Sequence, residues 1–289
     1  MEYFVHLAIL VAIYAMLAMS LNLVVGYTGL LSVTHAAFYG IGAYATAILL
    51  TQSGVGFFLA LLLGMALAAV LGLLIGLVLS KFDDDYYALG SIGFNVIVFS
   101  LFLNWQDLTR GPLGIPGIPR PHLLGIDFSS NLPFLALALV FTALVYGASR
   151  FIVNSSFGRV LKAIREDERA LQVFGYRTLS YKLAVFVIAS ALAALAGSLF
   201  ASYITFIDPR GFNLVESIFI LTVIILGGLA SLHGSLLGAL FLIVLPEALR
   251  FVGFPGDVAA QMRQVIYGLI LIALMFYRPQ GLMGEYKLR

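Results

Sequence analysis

Seven of the sixteen basic residues of this chain fall between positions 150 and 182. They are Arg150, Arg159, Lys162, Arg165, Arg169, Arg177 and Lys182, and the acidic run Glu166-Asp167-Glu168 lies among them. Charge of both signs at that density suits pairing with another macromolecule better than bond-making chemistry. Val160, Ile164, Leu171 and Phe174 recur at helical spacing between the charges, Asn154-Ser155-Ser156 offers capping side chains, and Gly175 suits a helix end. The segment therefore predicts one amphipathic helix from about Ser156 to Phe174. A helix lying on anionic headgroups is one reading of it. A protein socket is the other, and the acidic run in mid-helix favours the socket.

Other chemistry is poorly represented. A Gly-x-x-x-x-Gly-Lys-Ser/Thr phosphate loop is absent, as is His-Glu-x-x-His, and the four histidines (His6, His35, His122, His233) are scattered. There is no cysteine, which removes thiolate catalysis, disulfides and cysteine-ligated metals together. Gly197-Ser198 and Gly234-Ser235 lack the Gly-x-Ser-x-Gly elbow, so an intramembrane hydrolase has no credible nucleophile. We expect no catalytic residue, no metal and no cofactor held by this chain. Its net charge of +2 supports no nucleic-acid partner.

The elements that must position these residues are helices in a bilayer. Hydrophobic residues make up 62% of the chain and charged residues 10%, with a mean hydropathy of +1.05. No Asp, Glu, Lys or Arg occurs from Tyr3 to Ser80, whereas one crossing needs about 20 apolar residues. Apolar runs predict helices at about 4–25, 36–51, 56–79, 86–104, 131–149, 180–204, 215–228, 234–252 and 262–277. The expected fold is all-α and polytopic: about eight or nine transmembrane helices in a single domain over 1–289. The N-terminal run is expected to be a retained membrane helix rather than a leader. The excess of Lys and Arg puts 150–182 in the cytoplasm. Counting spans from there places Lys81, Arg278, Lys287 and Arg289 on the same side, and the N-terminus and the loop at about 105–130 outside.

Polar groups inside such spans are costly unless paired or facing a cavity. The set is Asn22, His35, Asn95, Glu216, His233 and Glu247, of which both glutamates read as interfacial. Two stretches are rich in glycine: 22–50, with Gly26, Gly29, Gly40 and Gly42, and 215–245, with Gly227, Gly228, Gly234 and Gly238. They share a local pattern, Gly29-Leu30-Leu31-Ser32 before His35 and Gly228-Leu229-Ala230-Ser231 before His233. Such pairs point to broken helices in two related halves with a transport path between them. Candidate path residues are Asn22, Ser32, His35, Ser91, Asn95, Ser231 and His233. Glycines that merely allow close helix packing, and polar groups that satisfy a neighbouring backbone, are the competing reading.

The run from Ser156 to Glu168, continuing to Phe174-Gly175-Tyr176 and Tyr181-Lys182-Leu183, resembles the cytoplasmic coupling segment of branched-chain amino acid ABC-transporter permeases of the LivM type. Three further blocks match in the family's order: Ser20 to Ser32 with His35-Ala36-Ala37-Phe38, Leu108 to Ile115 with Ile118-Pro119, and Leu226 to Ser231 with Gly234 and Leu245-Pro246-Glu247. Ser91 and Asn95 depart from it, standing where relatives usually carry threonine and an acidic residue. The resemblance implies a permease subunit of an ATP-driven importer for branched-chain or other small amino acids in the inner (plasma) membrane. Relatives also serve urea and short amides. Implied partners are a homologous second permease in a heterodimer, two cytoplasmic ATPases that bind the ATP and Mg, and an external solute-binding protein. The implied coupling residues are Gly158, Arg159, Lys162, Ile164, Arg165, Glu166, Asp167, Glu168, Leu171 and Gly175. An ion-coupled secondary transporter working without an ATPase is the alternative.

Overall fold

Hydrocarbon offers a backbone no hydrogen-bond partners, so a chain this apolar must close its bonds internally. The computed structural model does so mainly with helices, and it describes residues 2–82, 84–123, 126–250, 265, 268–269, 272–273, 276 and 280–284. In order these are α1 (Glu2–Thr28), α2 (His35–Gln52), α3 (Phe57–Leu79), α4 (Asp84–Asn104), the short α5 (Gln106–Thr109), α6 (Asn131–Asn154), α7 (Ser156–Val173), α8 (Thr178–Ile204), α9 (Leu214–Gly227) and α10 (Leu232–Arg250). Four two-residue strands lie in the connections: β1 (Ile115–Pro116), β2 (His122–Leu123), β3 (Ile126–Asp127) and β4 (Phe206–Ile207). β1 pairs antiparallel with β4, Ile115 opposite Ile207, and β2 pairs with β3. The first pairing ties the 105–130 loop to the α8–α9 connection at the end of the bundle away from α7.

α1 is the central helix, buried from Ala15 to Thr28 and packed against α6, α8, α9, α10 and α7. α2 is also interior and lies along α8. Between them a Cβ on Gly42 would fall 2.1 Å from the Ala194 carbonyl oxygen, and one on Gly197 would fall 2.0 Å from that of Tyr39. With no water to expel, helices in lipid associate through this kind of close backbone approach. Thr46 and Ser198 exchange a 2.7 Å hydrogen bond across the same seam. α3 and α4 turn Leu59, Leu62, Leu67, Leu74, Ile97 and Leu101 outward, as lipid-facing helices do.

Among the described residues, five helices are long and apolar enough to cross a membrane, or six if the bent α9–α10 pair is one span. The sequence runs predict eight or nine. α2 carries a polar start and end and serves as an interior element, and α9 and α10 meet at 119° across their break. The ninth run, 262–277, lies almost wholly outside the described residues, as do Arg278, Lys287 and Arg289.

Candidate functional site

Both glycine-rich stretches are breaks in helices, and each opens on a glycine with positive φ, Gly29 at +76° and Gly228 at +122°. A break buried in an apolar bundle strands amides and carbonyls that water cannot satisfy. The second break, residues 228–231, is served by α1. Asn22 donates from Nδ2 to the Ser231 carbonyl (3.0 Å), the Ser235 hydroxyl (2.7 Å) and the Gly228 carbonyl (3.4 Å), and its Oδ1 accepts from the Ala230 amide (3.0 Å). Ala230 itself is held at a φ of +58°, a conformation that a non-glycine residue keeps only when its surroundings enforce it. Gly26 stands one turn after Asn22, and a Cβ there would sit 1.7 Å from Asn22 Oδ1.

The first break, residues 29–34, is served by α4 and α9. The Val33 amide donates to the Ser91 hydroxyl (2.9 Å), and the Ala36 amide donates to the Ser217 hydroxyl (3.0 Å). Asn95, four residues after Ser91 on the same face of α4, donates to Ser217 as well (2.9 Å). Ser32 pairs with Thr34 at 2.9 Å. His35 opens α2 in full burial, with its ring edge against Phe38, and neither ring nitrogen makes a hydrogen bond of standard geometry; Asn95 Oδ1 is likewise unpaired.

Of the seven residues expected along the path, Ser32, His35, Ser91 and Asn95 therefore gather at the first break, and Asn22 and Ser231 at the second. His233 follows the second break by two residues and bonds outward, to α6. It is exposed, it pairs with the Tyr146 hydroxyl at 3.2 Å, and it borders an open pocket of about 240 Å³ with Arg150, Lys162 and Tyr27. One serine in the apolar run of α9 carries no local signal for the role Ser217 has here, and Ser235 reads from sequence only as a poor nucleophile. Glu216, expected at an interface, accepts a 2.5 Å hydrogen bond from Tyr14 in the middle of α1, while its amide is capped by Asn213 at 3.0 Å.

α7 lies at the rim of the bundle, against the end of α1 that leads into the first break. Ser155 caps it, accepting from the Gly158 amide at 3.3 Å, and a Cβ on Gly158 would lie 2.2 Å from the Val153 carbonyl oxygen, so the sharp α6–α7 corner requires glycine. Leu161 and Ile164 form its buried face. Arg165 reaches the end of α1 and donates to the carbonyls of Gly26 and, at 3.4 Å, Val25; Lys162 lies over the Tyr27 ring at 5.6 Å. A cation at a helix C-terminus meets the negative end of the helix dipole. Arg159 and Glu166 point outward.

α7 is not one continuous helix, contrary to the expectation from spacing. Asp167 has extended backbone angles (φ −157°, ψ 99°), and its carboxylate caps a second piece by accepting from the Ala170 amide at 3.0 Å. The break resets the helical phase, which is why Phe174, predicted on the buried face, is 79% exposed beside Val173 at 86%. The second piece is tied to α8: Glu168 bonds Lys182 at 2.9 Å and Thr178 at 2.8 Å, with Gln172 joining through Thr178. Leu171 is half-buried, and Gly175 closes the element at a φ of +84°.

Residues 3–275 match the family described as the permease component of the branched-chain amino acid transport system. The chain is 35% identical over 303 residues to the high-affinity branched-chain amino acid transport system permease protein LivM of Escherichia coli, covering 96% of this chain and 69% of that one. It is 26% identical to a probable LivM permease of Methanocaldococcus jannaschii, covering 94% and 91%, and 26% identical to the E. coli permease LivH over the same shares. No solved structure matches.

Proposed function

The chain belongs to the family of branched-chain amino acid transport permease components, and from that premise we propose that it is one transmembrane subunit of an ATP-binding cassette importer for branched-chain amino acids. The observation that carries the reading is the two-piece α7. Its first piece is anchored to α1 through Arg165 and its second to α8 through Glu168, and beyond both it presents Val173 and Phe174 to whatever lies outside. A groove in a cytoplasmic ATPase would receive that tip. Movement of the groove would then pull α1, and with it the Asn22 contacts at the 228–231 break.

In this account 150–182 is cytoplasmic, the 105–130 loop faces an external solute-binding protein, and a second, homologous permease completes the pathway. ATP and Mg are bound by the ATPases. The two polar clusters at the breaks form this chain's share of the path: Ser32, His35, Ser91, Asn95 and Ser217 at one, Asn22, Ser231 and Ser235 at the other. A ligand shifts such a two-state element only through differential affinity for its states. Reconstitution tests the reading: uptake of radiolabelled leucine into vesicles should require the ATPases and ATP. Glu216, held by Tyr14 inside the bundle, favours the alternative of an ion-coupled carrier, and leucine uptake by the purified chain alone, driven by a proton gradient, would support that alternative instead.

A further inference from the structure

Asn22 satisfies the far side of the 228–231 break but leaves the carbonyls that end α9. Helix termini strand about four such carbonyls, and two of those at the end of α9 are met from far along the chain. The Leu282 amide donates to the Leu226 carbonyl and the Met283 amide to the Gly227 carbonyl, both at 2.9 Å. The approach is backbone on backbone. A Cβ on Gly281, whose φ is +76°, would fall 2.5 Å from the Ile225 carbonyl oxygen, and one on Gly228 would fall 2.2 Å from the Gly284 amide nitrogen. The side chains of Leu282 and Met283, 41% and 53% exposed, point away from this contact.

We propose that Gln280–Gly284 is a positioning strap for the second helix break: it holds the last turn of α9 through main-chain bonds, so that the break keeps the geometry that transport requires. The break is then clamped from two sides, by Asn22 of α1 and by a segment more than fifty residues further along the chain. The proposal rests on the transporter reading above but specifies a contact that can be tested without it. The strap's glycines and amides matter, and its large apolar side chains do not.

Two measurements on the intact complex in lipid separate contact from role. Amide hydrogen exchange reads the contact, and the Leu282 and Met283 amides should exchange at least about tenfold more slowly than unbonded amides; fast exchange at both would overturn it. ATP-driven leucine uptake reads the role. Gly281→Val and Leu282→Pro, which push the strap off or delete one donor, should lower uptake about tenfold, the scale of one or two lost buried hydrogen bonds, while Leu282→Ala and Met283→Ala stay within about twofold. Insertion and subunit assembly, read by co-purification, should be normal in all four. Equal uptake in all four, or equal loss, would overturn the proposal. Absence of ATP-driven uptake in the unaltered complex would overturn the transporter reading instead and leave the exchange result standing.

Discussion

Replacing Asn22 by alanine tests the clamp on the second break most sharply. The substitution removes a donor to the Ser231 carbonyl, the Ser235 hydroxyl and the Gly228 carbonyl, and it strands the buried Ala230 amide, which has Asn22 Oδ1 as its acceptor. Interhelical hydrogen bonds in membranes contribute about 0.6 kcal/mol each on average, and an orphaned buried donor costs about 1–3 kcal/mol. Three such bonds and one orphan together cost about 3–5 kcal/mol, a shift of roughly 150- to 4,000-fold in the equilibrium that holds the break. Gly26→Ala should act on the same bonds, since its Cβ would meet Asn22 Oδ1 at 1.7 Å and drive the carboxamide away. The double variant should therefore be less destabilised than the sum of the singles, by at least about 1 kcal/mol. Unfolding titrations in mixed micelles, run beside initial uptake rates, would measure this cycle. Additivity to within about 0.5 kcal/mol, or an Asn22→Ala cost below that size, would refute the reasoning.

Other perturbations distinguish the remaining parts. Arg165→Ala should leave ATP hydrolysis by the assembled complex but reduce leucine uptake per ATP several-fold, because the tie between α7 and the end of α1 is gone; unchanged stoichiometry would argue against that tie. Glu168→Lys should weaken coupling by breaking the bonds to Lys182 and Thr178, and Lys182→Glu in the same chain should restore part of it, since the partly buried pair is then rebuilt with its signs exchanged. Phe174→Asp should abolish co-purification with the ATPases while the chain still inserts, and full complex recovery would remove the tip from the docking surface. His233→Ala should change uptake less than twofold, since His233 lies outside both clamps.

The helices were legible because a membrane imposes them: long apolar runs bounded by glycine and charge locate α1, α3, α4, α6 and α8 within a few residues. The two breaks were legible for the same reason, since the repeated Gly-Leu-x-Ser pattern needs a positive-φ glycine at the point where each helix stops. Their partners were not. Asn22 meets residues more than two hundred positions away, and Ser91 meets Val33 from another helix; periodicity within one segment says nothing about which helices adjoin. The phase of α7 past Asp167 is hidden in the sequence because a capping aspartate inside an acidic run looks like any other solvated charge. The strap at 280–284 has no sequence signal because its contacts are made by the backbone, and its two glycines resemble an ordinary turn.

In a permease of this kind, a partner's ATP hydrolysis would move the breaks through α7. The most direct test of that coupling is leucine uptake into vesicles containing the purified complex, compared with and without ATP and with Arg165→Ala in place of the native residue. Uptake should need ATP in the native complex and fall several-fold with Arg165→Ala while ATP hydrolysis persists. Uptake by the chain without ATPase or ATP, unaffected by Arg165→Ala, would contradict it.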